Sequence, residues 1–260
     1  MRLQLYDIVP GLKPYLKEIC TMDCDEGVDT HHIRVLPDAC VELFINYTDT
    51  PIAMIGHSLY KDSIITARMS RPTDVQMRKG SGCLAVCFRP GMASNFFQVP
   101  MQALTDAVVD LADIWSGVTK EIEDKMAQAS TNQERVAMVQ HYLGHKLSLK
   151  KEDPQLVYCL KQVQLSQGLI PLSSLTAATG LSQRHLSRKF QQHVGLSPKA
   201  YLRVSRFIRS LAHLKACPER SLTEIAYASG YYDQSHFNRD CKAYTGITPN
   251  EVANAQHILY

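Results

Sequence analysis

The chain has 260 residues, 45% hydrophobic and 20% charged, with a formal net charge of +3; that length allows two domains, each with its own core. No apolar run approaches the ~20 residues that span a bilayer. The opening MRLQLYDIVPGLKPYL has neither an apolar h-region nor a small-residue cleavage site, so the expectation is a cytoplasmic chain with no membrane span and no signal peptide.

In chain order, the stretch to about Val118 is rich in strand-like runs: CVELFINY (40–47), IAMIGHSLY (52–60) and CLAVCFRP (83–90). They are separated by turn chemistry such as DTP, RPTD and KGSG, and several short strands at this spacing predict a compact β-barrel or sandwich. From Thr119 the period changes. TKEIEDKMAQA and NQERVAMVQHYLGHKL read as two helices, the second carrying Val136, Val139, Leu143 and Leu147 on one stripe. That stripe suits packing against its own barrel, which the reading favours, and also a dimer interface. LSLKKEDP (147–154), charged and ending in proline, is the best linker candidate. The division expected is residues 1–150 and 151–260.

Charge separates the same two parts. Residues 1–150 carry 15 Lys and Arg against 18 Asp and Glu, a net of −3, and residues 151–260 carry 13 against 7, a net of +6. Only the second part is suited to a polyanion. After Pro154 the chain is expected to be helical almost to its end, and it contains an internal repeat. Leu175, Ala178, Gly180 and Leu181 recur 50 residues on as Ile225, Ala228, Gly230 and Tyr231. After one extra residue, Leu186, Phe190, Gly195 and Pro198 recur 51 residues on as Phe237, Cys241, Gly246 and Pro249.

Each copy predicts a short helix (about 173–179 and 223–229) presenting an apolar residue and a small alanine, against which the next helix packs closely. A glycine follows where the chain turns with positive φ. Ser182 or Asp233 then caps a second helix, whose inner face carries Leu186 and Phe190, or Phe237 and Cys241. This is a helix-turn-helix, with units at about 172–193 and 222–244. The outward residues of the second helices are Gln183, Arg184, Ser187, Arg188 and Lys189, then Gln234, Ser235, His236, Asn238, Arg239 and Lys242. Arginine bonds guanine bidentately and Asn or Gln bonds adenine likewise, whereas lysine and serine more often hold phosphates. Between the copies, a helix at about 198–215 starts with Ser197 as N-cap and Pro198 at its first position. Its apolar stripe is Leu202, Phe207, Ile208, Leu211 and Leu214. Eighteen residues span roughly 27 Å, a strut suited to placing two helices in successive major grooves about 34 Å apart.

The segments LSSLTAATGLSQRHLSRKFQQHVGLSPKAYL and SLTEIAYASGYYDQSHFNRDCKAYTGITPNEV resemble the two units of the AraC/XylS family of transcription regulators, over about residues 155–255. The resemblance implies a sequence-specific DNA-binding regulator, with double-stranded DNA and RNA polymerase as partners; activator is the expected sense, with repressor left open. It places the base-reading positions on Arg184, Ser187 and Arg188, and on Gln234, Ser235, His236, Asn238 and Arg239. One departure is Cys241, where the family usually has an aromatic residue. VLPDACVELFINY and CLAVCFRPGMASNFF resemble, less specifically, the β-rich sensor domains attached to such regulators, which bind a small effector or dimerise. The fold class expected is therefore α+β: an N-terminal β-rich, barrel-like or cupin-like domain with helices, and a C-terminal all-α domain of two helix-turn-helix units. Effector identity and homodimerisation stay open.

Rival readings are weaker. His31 and His32 are adjacent and would point to opposite faces of a strand, and no nucleophile elbow or phosphate loop occurs. Lone His57, His141 and His145 read as surface or satisfied residues. Arg89 in FRPG suits a turn better than an anionic effector. Cys20 and Cys24, like Cys83 and Cys87, are four apart and lack the two-residue gap of structural zinc, which argues against a cysteine-based DNA-repair fusion. No enzyme activity, catalytic residue, metal or cofactor is assigned. A pure protein-interaction module is separated from a DNA binder by salt dependence.

Overall fold

The structure, a computed structural model, describes residues 1–24, 29–67, 69–147 and 153–255, and the backbone of 258–259. Among these, ten strands come first: β1 (Arg2–Leu5), β2 (Leu16–Asp23), β3 (Thr30–Val35), β4 (Val41–Asn46), β5 (Ala53–Ile55), β6 (Ser58–Tyr60), β7 (Ile64–Thr66), β8 (Thr73–Arg78), β9 (Gly82–Phe88) and β10 (Val108–Asp110). The run 52–60, expected as one strand, is a hairpin, because Gly56 takes φ +59° and turns β5 back into β6.

Two sheets form. One has the order β1-β2-β9-β4-β7-β10 and is antiparallel throughout. The other runs β3-β8-β5-β6, with β11 (Ile258–Leu259) added parallel to β3 at its edge, a strand absent from the all-α expectation for the C-terminal part. Alternation sorts the first sheet's side chains. Leu84, Val86 and Phe88 of β9, with Leu43 and Ile45 of β4, enter a core shared with the helices. Cys83, Ala85 and Cys87, with Glu42 and Phe44, face a cavity against the second sheet. Being covered on both sides explains why every residue of β9 is buried.

Four helical pieces close the outer face: 3-10 turns at Ala93–Asn95 and Met101–Leu104, then α1 (Leu111–Ile114) and α2 (Thr119–Gln128). α3 (Asn132–Lys146) starts at a capping box in which Thr131 and Glu134 satisfy each other's backbone N–H. Val136, Val139 and Leu143 are buried in the same core as Leu84 and Phe88, with Leu147 at its margin. The stripe on α3 thus packs against its own barrel. Arg89 Nε donates to Lys13 O, so its side chain ties the end of β9 to the turn before β2 instead of bracing its own FRPG turn. Of the linker 147–154, residues 148–152 lie outside the described residues.

The C-terminal part contains α4 (Pro154–Leu165), α5 (Leu172–Thr179), α6 (Gln183–Val194), α7 (Pro198–Ala216), α8 (Leu222–Ala228), α9 (Gln234–Thr245) and α10 (Pro249–Asn254). The repeat extends to the caps. Gly195 and Gly246 end α6 and α9 with φ +80° and +78°, and Ser197-Pro198 and Thr248-Pro249 start α7 and α10. The apolar stripe of α7 is buried at Leu202, Phe207, Leu211 and Leu214 and half-buried at Ile208. Asp240, 2% exposed, accepts from Arg203 Nε and Nη2 at 3.0 and 2.6 Å and ties α9 to α7.

The two parts are packed together. Leu36 and Ala39, from the segment between β3 and β4, belong to the helical core with Leu160, Val194 and Tyr201. At the end of α6, Ser94 Oγ lies 3.0 Å from His193 Nδ1, and Thr105 Oγ1 donates to Gly195 O at 3.1 Å.

Candidate nucleic-acid interface

Each unit holds its second helix by a local device that precedes it. Gly180 and Gly230 take φ +68° and +79°, the left-handed region in which a Cβ is costly. Ser182 Oγ then accepts from His185 N, and Asp233 Oδ1 from His236 N, starting α6 and α9 at equivalent points. Leu186, Phe190 and Val194 anchor α6 inward, and Phe237, Cys241 and Tyr244 anchor α9. Cys241 is fully buried, and the neighbouring Tyr244 ring packs on Phe207 at 4.7 Å. The small side chain therefore sits beside a large one that helps fill the second unit.

The alanines of the repeat do not form the contact expected of them. Ala178 is exposed and Ala228 half-buried; the small residue buried in α8 is Ala226. The repeat selected the buried Leu175 and Ile225 correctly and missed only at the alanine position.

With the inner faces anchored, the outward positions follow from the 3.6-residue period. On α6, Gln183, Arg184 and Arg188 are exposed and Ser187 is half-buried. Arg184, Ser187 and Arg188 line one shallow groove with His185 and Gln191, two residues the sequence reading did not select. Arg188 Nη2 is 2.8 Å from His185 Nε2, one turn earlier. Lys189 differs from its neighbours. Its ammonium forms an ion pair with Asp153, the N-cap of α4, so it is tied inside the domain instead of standing free for a phosphate. Burial alone would raise the Asp153 carboxyl. Hydrogen bonds from Lys189 and from the backbone of Leu156 and Gln155 outweigh that and hold it below its ordinary range.

On α9, Ser235, Arg239 and Lys242 are exposed, and Gln234, His236 and Asn238 are half-buried. Gln234 Oε1 accepts from Thr223 Oγ1 at 2.7 Å, which links the face of α9 to the start of α8. The His236 ring meets Tyr231 edge-on at 5.1 Å. Asn238 Oδ1 is buried with no hydrogen-bond partner among the described residues. The structure thus aligns Arg184 and Arg188 on one helix, and Ser235, Arg239 and Lys242 on the other, with their side chains in solvent.

A family described as a helix-turn-helix domain matches residues 175–255, the span of both units. The C-terminal domain belongs to the AraC/XylS helix-turn-helix family. The AraC-type domain is 45% identical over 79 residues to the HTH-type transcriptional activator RhaS of Salmonella newport (strain SL254) and of Salmonella agona (strain SL483). The match takes in 30% of this chain and 28% of each relative. Residues 9–110 match a second family, a domain of unknown function (DUF6597). Among solved structures, ToxT from Vibrio cholerae aligns over 98% of both chains at 12% identity and a TM-score of 0.47. A probable AraC family transcriptional regulator from Rhodopseudomonas palustris CGA009 aligns over 37% of this chain and 95% of its own, at 29% identity and a TM-score of 0.32.

Glycine substitutions separate the turn from close packing. A Cβ on Gly180 would meet nothing within 4 Å, so Gly180→Val should cost only the strain of φ +68°, about 1–3 kcal/mol. Gly168 precedes α5 at φ +80°, and a Cβ there would lie 2.6 Å from Leu202 O and 2.9 Å from Arg206 N. Gly168→Ala should therefore lower the unfolding midpoint more than Gly180→Val, although it adds fewer atoms. The reverse order in a urea titration would contradict the close approach of this turn to α7.

Proposed function

We propose that this protein is a sequence-specific DNA-binding regulator of transcription, not an enzyme, whose N-terminal domain binds a small effector. The observation that carries the reading is the pairing of two capped, equivalently anchored helices with exposed arginines at matched turns, Arg188 on α6 and Arg239 on α9. They lie in the half of the chain with the positive net charge. Double-stranded DNA is the partner this arrangement suits: guanidinium groups for base edges and Lys242 for a phosphate. α7 has 19 residues, roughly 28 Å of helix, a length suited to seating α6 and α9 in neighbouring grooves of one duplex. RNA polymerase is the further partner that the family likeness supports, with activation as the sense of regulation.

Control by an effector is supported by a shared wall. Leu36 lines the cavity between the sheets and is also buried in the core of the AraC-type domain. Asp38 and Cys40, on the same segment, lie close enough to Tyr201 at the start of α7 to raise its hydroxyl, after burial as the larger cause. A molecule in the cavity would press on a segment whose other side supports the helices that hold α6 and α9. The helices of the described residues include none long and apolar enough to cross a membrane.

The test is selection of bound sequences from a random duplex pool by the full chain, followed by a salt titration on the enriched site. The expected result is two informative patches about ten base pairs apart, with affinity falling steeply as salt rises. Failure to enrich any site would overturn the DNA reading. A salt-independent interaction would favour a protein partner instead.

A further inference from the structure

The cavity between the two sheets encloses about 210 Å³, somewhat below the usual ~300–1,000 Å³ of ligand sites, so it suits only a small molecule. Its walls are largely apolar, with Met22, Ile33, Ile52, Ile64, Val75 and Met77 among the lining residues. Its charged residues are Lys17, Glu18, Asp38 and Glu42, three carboxylates to one ammonium. The ammonium is already matched: Lys17 Nζ lies 4.0 Å from Glu18 Oε1, and both side chains are about half exposed at the opening. Lys17 also acts at longer range on Asp38 and Glu42, but one ammonium leaves three carboxylates undercompensated.

Glu42 sits deeper, on β4, directly across from Cys87 on β9 and Thr66 on β7. Phe44 lies two residues further on the same face and also lines the cavity, so an aromatic ring stands beside the carboxylate. The thiols of Cys20 and Cys83 add no charge, because burial pushes Cys20 up to about 12 and raises Cys83 well above its ordinary value.

We propose that this cavity binds a small amphiphilic cation, an apolar body with one ammonium group directed at Glu42 and Asp38. The inference rests on the reading of the cavity as an effector site and adds the ligand's chemistry. Apolar walls take the body of the ligand, a carboxylate pairs with the ammonium, and the Phe44 ring offers its negative face to the same charge. An anionic ligand would meet excess negative charge, with a lysine already beside Glu18. A polyhydroxylated ligand would bond the carboxylates but would set its remaining hydroxyls against the largely apolar walls.

The test is calorimetric titration of the full chain at pH 8, where Glu42 is ionised and the amine still protonated, with three probes of similar shape: 2-phenylethylamine, 2-phenylethanol and 3-phenylpropanoate. The amine should bind at least tenfold more tightly than the alcohol, and the propanoate most weakly. Glu42→Gln should reduce the amine to the affinity of the alcohol and leave the alcohol unchanged. Asp38→Asn, at the rim, should lower amine affinity several-fold and serves if Glu42→Gln does not fold. Ala85→Phe, which fills the cavity, should abolish binding of all three. If the alcohol or the propanoate binds as tightly as the amine, and Ala85→Phe still abolishes binding, the cation is overturned while the cavity keeps its role. If no probe binds, the effector-site reading falls with it.

Discussion

Arg188→Ala and Arg239→Ala are each expected to weaken binding to the selected operator by about 1–3 kcal/mol, roughly fivefold to 150-fold. Both side chains project from the outward faces of helices whose inner faces are fully anchored, so truncation removes a contact without opening a core. The two variants should relax sequence preference at different patches of the site, because α6 and α9 belong to different units. Lys242→Ala should instead weaken all sequences about equally and reduce the salt slope by about one. His185 touches Arg188 at 2.8 Å, so His185→Ala should lower affinity by less than Arg188→Ala and at the same patch. Unchanged operator affinity in both arginine variants, with melting curves like those of the wild type, would remove α6 and α9 from the grooves.

Phe237→Ala is expected to destabilise the AraC-type domain by about 3–5 kcal/mol, the usual cost of emptying a buried aromatic site. The Phe237 ring is fully buried and packs against Tyr231 at 5.3 Å. Tyr231 follows the Gly230 turn, so one ring supports both the helix α9 and the turn that aims it. That cost is a large fraction of a domain's net stability, about 5–15 kcal/mol. The second unit should fail first, leaving a footprint at the half-site read by α6. Phe237→Leu, which keeps most of the apolar volume, should restore both the melting temperature and the second half-site. A Phe237→Ala variant that melts within a degree of wild type would contradict the packing of the second unit.

Acidity gives a separate check on the cavity. Burial raises the Glu42 carboxyl, Asp38 and Glu18 add repulsion, and Lys17 and Thr66 only partly offset them, leaving it at about 7. A carboxyl that holds its proton more tightly folded than unfolded makes the folded state lose stability as pH rises between about 4.5 and 7. The shift is worth up to about 3 kcal/mol. Relative to wild type, Glu42→Gln should gain by that order across the same interval in urea titrations. Parallel pH profiles would place Glu42 in contact with water instead of on the cavity wall.

The helical repeat is legible in the order of residues alone, because its signals are local. Ser182, Asp233 and Ser197 cap helices through bonds to residues three ahead, and Gly180 and Gly230 mark turns through their own φ. Each can be read within a few residues, and the outward faces of α6 and α9 follow from the helical period. Tertiary structure decided what joins distant segments. Period-two alternation marks strands without naming their partners, so the order β1-β2-β9-β4-β7-β10 and the cavity behind it appear only when the sheets close. Asp153 takes Lys189 out of the outward set from 36 positions away. Leu36 and Ala39 read as part of a barrel but are buried among helices that begin more than a hundred residues later. Such contacts form only once loops of that length have closed, and no local propensity encodes which apolar surface will then lie opposite.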